Sequence, residues 1–213
     1  MTSLADQYRP TTWAEVLGQD KALARLNVLR PRGLAGRGYW INGQSGTGKT
    51  TIARLIAAEV SDDWSTEEID SNQLTPSRLD EIERRTAGKP LGGKSWCLIV
   101  NEAHGLSKPA IRKLLTLFDR LPPHVTWIFT TSIEGQQTFD EVDDGGPLLS
   151  RCTRLELARR DLAKPFAQRA QEIAQAEGLD GQPAPRYLRL VQDNRNNMRA
   201  VLQAIEAGEM LVG

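Results

Sequence analysis

The chain has 213 residues, enough for one α/β unit plus a small helical one, and its 39% apolar and 25% charged content is that of an ordinary soluble globular protein. Lysine plus arginine balance aspartate plus glutamate at 27 each, so no global field draws the chain to nucleic acid or membrane, and any such contact must come from a local patch. Two distant cysteines, Cys97 and Cys152, exclude a disulfide framework and a zinc site built on paired cysteines. The N-terminus lacks an apolar secretory core and the longest apolar run, residues 96–100, is too short to span a bilayer, so the expectation is a cytoplasmic protein.

In chain order, the hydrophobic spacing predicts a helix over 22–29 and a short buried strand over 38–42. A glycine-rich loop follows, then a helix over 51–60. Next come a strand over 66–69, a helix over 76–85, a strand over 96–100, with Cys97 as a small buried hydrophobe, and a helix over 108–120. A strand over 126–130 precedes residues 133–147, rich in glycine and acidic side chains and read as an exposed, mobile loop. The last strand is placed at 153–157. This alternation argues for a parallel sheet sandwiched by helices, with ligands at the carboxyl ends of its strands. Beyond residue 157 the strand pattern ceases, and helices over 161–177, 186–192 and 198–210 form a small three-helix lid. The predicted organisation is an α/β nucleotide-binding domain, 1–158, and a helical lid domain, 159–213.

The loop carries the chemistry. Gly43, Gln44, Ser45, Gly46, Thr47, Gly48, Lys49 and Thr50 match G-x-x-x-x-G-K-[ST] without a mismatch. Between a strand and a helix, such a loop curls its backbone N–H groups, including that of Thr51, around phosphates. The helix N-terminus adds positive potential, Lys49 reaches the β/γ-phosphates, and Thr50 offers a hydroxyl to Mg²⁺. The chain is therefore read as a binder of nucleoside triphosphate. Such a site needs carboxylates at the end of a buried strand. Leu98-Ile99-Val100-Asn101-Glu102 supplies the strand, with Glu102 placed to polarise water. Asn101 stands where an aspartate ordinarily steadies Mg²⁺ through its water shell. Its amide accepts a hydrogen bond but carries no charge, which leaves two outcomes open: slowed hydrolysis with retained binding, or normal hydrolysis with the metal held by phosphates and Thr50. His104 is read as a structural or surface-turn residue. The strand over 126–130 ends in Thr130, Thr131 and Ser132, whose hydroxyls could orient water.

These motifs together resemble the clamp-loader branch of the AAA+ ATPases, meaning replication factor C small subunits and the bacterial polymerase III tau/gamma subunit. The resemblance spans nearly the whole chain: Tyr8-Arg9-Pro10 and Val16-Leu17-Gly18-Gln19 look like the segments that wrap the adenine, Leu148-Leu149-Ser150-Arg151-Cys152 looks like the Ser-Arg-Cys box, and Asn197-Met198-Arg199 looks like the sensor-2 segment of the lid. It implies that ATP and Mg²⁺ are the cofactors, that Arg151 is an arginine finger for a neighbouring subunit, that Thr131 is the sensor-1 residue, and that Met198 and Arg199 touch nucleotide from the lid. It also implies a ring of like or related AAA+ subunits gripping primer-template DNA, with a sliding clamp as a further partner. The helices matching the family's DNA-facing ones hold Arg78, Arg84, Arg85, Lys108 and Arg112, for which a solvated charged face is the other reading. Two departures stand out. One is Asn101; the other is that the family's helical collar domain is not expected, because the chain ends just after the lid. The missing zinc-binding cysteines tilt the resemblance toward replication factor C or phage-type subunits. Against the ATPase reading stands an ATP-sensing scaffold with little hydrolysis, which Asn101 favours.

Overall fold

The computed structural model describes residues 2–140, 145–158 and 160–211. A short helix α1 (Leu4–Gln7), capped by the Ser3 hydroxyl, precedes α2 (Asp20–Leu29), and the sheet then begins with β1 (Gly38–Asn42). The phosphate loop runs into α3 (Lys49–Val60), followed by β2 (Thr66–Asp70), α4 (Pro76–Arg85), β3 (Trp96–Asn101), α5 (Lys108–Phe118) and β4 (Val125–Thr131). Helices α6 (Ile133–Asp140) and α7 (Gly145–Ser150) lead to β5 (Cys152–Glu156), and α8 (Ala163–Ala176), α9 (Ala184–Asp193) and α10 (Met198–Glu206) complete the described chain.

The five strands form a parallel sheet in the order β2-β3-β4-β1-β5. β4 lies at its centre between β3 and β1, and all seven of its residues are buried. Strand alternation sends the two sets of side chains to separate cores. Tyr39, Ile41, Cys97, Ile99 and Ile128 pack under α2 and α3 against Leu26, Ile52 and Ile56. Trp40, Leu98, Val100, Trp127 and Phe129 pack on the other face against Leu79 and Ile82 of α4 and Ile111 and Leu114 of α5. A third core joins Phe166, Ile173, Tyr187, Val191, Val201 and Ile205 of the last three helices, and Leu4 of α1 belongs to it. The N-terminal helix thus packs with the C-terminal ones. Cys97 is fully buried, and burial pushes its thiol up to about 12, so it remains a neutral hydrophobe.

The mobile loop expected over 133–147 is corrected. Its two ends are the helices α6 and α7, and only 141–144 lie outside the described residues. Phe139 is fully buried with its ring 4.7 Å from that of Trp40, and the Trp40 indole N–H donates to Gln136 Oε1 at 2.5 Å. Glycine and acid content signalled a loop, but one aromatic anchor and one buried indole N–H outweigh it. Phe139→Ala should therefore cost about 3–5 kcal/mol in urea unfolding, as a buried aromatic does, against well under 1 for a residue of a loose loop.

Candidate nucleotide site

A cavity of about 440 Å³ opens at the carboxyl ends of β2, β3 and β4, where the sheet, the N-terminal segment and helices α8 and α10 meet. Its phosphate-facing wall is Ser45 to Thr51; Gly43 and Gln44 are not in the lining, and their carbonyl oxygens accept from Lys49 Nζ at 2.9 and 3.0 Å. Gly46 and Gly48 have φ of +74° and +102°, conformations that L side chains resist, and Gly48 leaves the α3 N-terminus without a side-chain cap. Backbone donors and the positive end of α3 therefore face the cavity beside Lys49 and the Thr50 hydroxyl. The donor set fits a triphosphate with its Mg²⁺: loop N–H groups and Lys49 for the phosphates, Thr50 and the polar end of β3 for the metal.

The opposite wall comes from both chain ends. Tyr8, Arg9 and Val16 line it with Phe166, Arg169, Ile173, Met198 and Arg199. The Tyr8 hydroxyl donates to Glu177 Oε1 at 2.6 Å, and the Arg169 guanidinium lies 5.9 Å from the Tyr8 ring centre. Arg9 pairs with Asp6 at 2.5 Å, which with the Ser3 hydroxyl holds that carboxyl below the usual range. A Cβ built on Gly46 would lie 1.9 Å from Asn197 Oδ1 and 2.9 Å from Asn197 Cα, so the phosphate loop and the start of α10 touch where no side chain fits. The buried Gln19 adds a second tie: its Nε2 donates to the Thr47 carbonyl at 3.2 Å and its Oε1 accepts from the Ala158 N–H at 2.6 Å.

Asn101 and Glu102 both line the cavity. Glu102 sits in the left-handed region, φ 50° and ψ 49°, a strained backbone for a glutamate. The Ser71 hydroxyl and the Gly105 N–H both donate to its carbonyl, at 2.7 and 2.8 Å, and hold that turn. His104 Nδ1 lies 3.4 Å from Glu102 Oε2 and 3.2 Å from Thr131 Oγ1, so it bridges two residues singled out from the sequence. Thr131 is fully buried and outside the lining; Thr130, one residue earlier, lines the cavity and donates to Asn101 Oδ1 at 3.0 Å.

Arg151 lies outside the cavity. Its Nε and Nη2 donate to Asp119 Oδ1 at 2.9 and 2.7 Å, and its Nη1 donates to the Pro147 carbonyl at 3.0 Å, which hold the guanidinium half-exposed at the end of α7. Nor do the basic residues of α4 and α5 reach the nucleotide site. Arg78 pairs with Glu67 and Glu81, both at 2.5 Å, Arg85 pairs with Glu67 and lies over Trp96, and Arg84 Nε donates to the Asp80 carbonyl at 3.3 Å. Lys108 and Arg112 are exposed on α5.

Several lining residues escaped the sequence reading. Glu68 and Asp70 of β2, Arg54 of α3 and Arg169 of α8 all face the cavity. Alternation along β2, which puts 68 and 70 on one face, was a usable signal. Arg169, Gln19 as a bridge, and the Asn197–Gly46 contact had none, because each depends on segments far apart in the chain.

A parallel sheet carrying a phosphate loop at its carboxyl edge, with an acidic strand end beside it, defines a P-loop nucleotide-binding protein. The family model of the ATPase family associated with various cellular activities (AAA) matches residues 39–159, and the chain belongs to that family. It is 29% identical over 198 residues to DNA polymerase III subunit gamma/tau of Mycoplasma genitalium, covering 81% of this chain and 32% of that protein. It is 25% identical over 235 residues to DNA polymerase III subunit tau of Escherichia coli, covering 97% of this chain and 35% of that one. The chain thus spans about a third of the length of these bacterial relatives. The Thermotoga maritima RuvB Holliday junction branch migration motor shares the fold, with a TM-score of 0.69 at 20% identity over 93% of this chain and 64% of that chain. Among the described residues no helix is long and apolar enough to cross a membrane.

Two expectations follow. Gly46→Ala places a side chain in the left-handed region against Asn197, and should lower unfolding free energy by at least about 1–2 kcal/mol and weaken nucleotide binding, read by thermal melts and by titration of a fluorescent ATP analogue. The second concerns Glu67. Burial works to raise its carboxyl, yet the Arg85 and Arg78 guanidiniums outweigh it and hold the group below the usual range. A depressed folded value stabilises the protein above the unfolded value of about 4.3, and that gain is lost as pH falls through the folded one. The stability gap between the parent and Glu67→Gln should therefore be flat at neutral pH and shrink below about pH 4.3 in denaturant titrations.

Proposed function

We propose that this AAA ATPase hydrolyses ATP within a ring of AAA+ subunits and uses the cycle to grip and release primer-template DNA in replication or repair. The observation that carries the reading is the cavity itself, which gathers Lys49, Thr50, Glu102 and Arg199 while Arg151 stands outside it on the surface. Arg151 lies outside its own subunit's cavity, and in a ring it would exchange its Asp119 pair for a neighbour's nucleotide. Kinship with polymerase III gamma/tau subunits supports the replication setting.

In this reading the adenine lies among Tyr8, Arg9, Val16 and Met198, and the loop N–H groups with Lys49 hold the phosphates. Mg²⁺, when bound at Thr50 and the end of β3, supplies charge neutralisation of the phosphoryl oxygens. Glu102 takes a proton from water as its oxygen bonds to the γ-phosphorus, and the bond from that phosphorus to the β–γ bridging oxygen breaks, releasing ADP and phosphate. His104, between Glu102 and Thr131, positions the base. Arg151 of the next subunit spreads charge over the transferring oxygens. The unit formed by residues 159–213 acts as the lid: Arg199 reads the phosphates, and the Asn197–Gly46 contact passes loop movement to α10. DNA contact falls to Lys108 and Arg112, which stand exposed on α5. Two features of the resemblance stay with this proposal, a sliding-clamp partner and a cytoplasmic setting.

Steady-state ATP hydrolysis with and without primed DNA tests the reading. Glu102→Gln should lower turnover by about 10²–10⁴ while retaining ATP binding, and Arg151→Ala by about 10³–10⁵ in the assembled form only. Removing both Lys108 and Arg112 should leave basal turnover unchanged and reduce the salt slope of DNA binding by about 2. ATP binding with no turnover under any condition would install the scaffold reading instead, which the uncharged Asn101 favours.

A further inference from the structure

The sequence departs from its family at Asn101, and the structure shows what stands beside that departure. Parallel pairing puts Asp70 opposite Asn101 and Glu68 opposite Ile99, so the even residues of edge strand β2 share the sheet face of Asn101, Thr130 and α3. Asn101 Nδ2 donates to Glu68 Oε1 at 2.7 Å while Thr130 Oγ1 donates to Asn101 Oδ1 at 3.0 Å. The amide can have only this orientation, because a carboxylate accepts and cannot donate. Arg54 of α3 holds the other carboxylate oxygen, with Nε and Nη2 at 3.0 and 2.9 Å from Oε2. Glu68, Arg54, Asn101 and Thr50 all line the nucleotide cavity.

An aspartate at 101 would set two carboxylates in hydrogen-bond contact, an arrangement in which like charges repel strongly. The amide removes that repulsion and grips Glu68 instead. We propose that Glu68, presented by Asn101 and Arg54, is the metal-positioning carboxylate of this site, holding the water shell of the nucleotide's Mg²⁺ in place of the aspartate that position 101 lacks. The charge has moved one strand outward, from β3 to β2. Oε1 keeps an acceptor direction beyond the one Asn101 uses, so the group can serve bound water without leaving its partners. This rests on the nucleotide-binding reading above and names the residue that completes its metal side.

The test is equilibrium binding of a fluorescent ATP analogue to the full chain as Mg²⁺ is varied, with an EDTA reference, which needs no turnover. Glu68→Gln should leave affinity in EDTA unchanged and raise the Mg²⁺ concentration for half-maximal tightening by about 10- to 100-fold, the usual cost of losing a residue that orients a metal's ligands. Asn101→Asp alone should not improve on the parent. Joined to Glu68→Gln it should return the midpoint to within about threefold, because one carboxylate again faces the metal. A Glu68→Gln protein that melts like the parent with its midpoint within about twofold overturns the proposal, as does a shift seen only in Asp70→Asn. Should Glu68→Gln fail to fold, the double variant decides: a parent-like midpoint supports the exchange and a shifted one overturns it. If the parent binds no nucleotide with or without Mg²⁺, the nucleotide reading falls and takes this proposal with it; parent binding that Mg²⁺ does not tighten, or a silent Glu68→Gln, defeats the proposal alone.

Discussion

The phosphate loop and the C-terminal helices meet at Gly46, whose left-handed backbone and missing Cβ let Asn197 approach as no side chain would allow. That contact constrains much else. The loop can present its N–H groups inward only with Gly46 and Gly48 at positive φ, and α10 can start beside it only because Gly46 is bare. Asn197 itself caps α10 by accepting from the Ala200 N–H, so one residue ends the loop's clearance and begins the helix that carries Arg199. Gln19 repeats the tie from the other side, joining the Thr47 carbonyl to the Ala158 N–H at the exit from β5. Any ligand that shifts the loop must therefore load both joints.

The N-terminal segment is part of the same device. Leu4 packs in the core of the last three helices, and Tyr8 donates to Glu177 of that layer. Of the wall proposed to hold the adenine, Tyr8 and Met198 thus pack with α8–α10, while Val16 packs against the core under α2 and α3. A nucleotide spanning the cavity would bridge two packing units, and opposing shifts of these walls would be felt as differential affinity.

The acidic end of the site is organised by backbone strain and by side-chain substitution together. Glu102 is held in the left-handed region by the Ser71 hydroxyl, and His104, read from the sequence as a structural or surface-turn residue, lies in that turn between Glu102 and Thr131. Beside it Asn101 converts a repulsive pair with Glu68 into a hydrogen bond. The same amide that lacks an aspartate's charge holds the neighbouring strand's carboxylate by its N–H.

By itself the sequence determined the parallel α/β architecture, the phosphate loop with Lys49 and Thr50, and the strand end bearing Asn101 and Glu102. These are local signals, since strand alternation, glycine placement and helical spacing are fixed within about ten residues. Composition misled at 133–147, where Phe139 is buried against Trp40, a contact across about a hundred residues, and residues 133–140 and 145–147 are helical. Tertiary structure alone decided that α1 joins the C-terminal helices, that Asn197 rests on Gly46, that Thr130 rather than Thr131 meets Asn101, and that Glu68 stands beside it. Each of these is set by which strands become neighbours and which faces become core, and a parallel sheet brings together residues whose separation in the chain carries no trace of their contact.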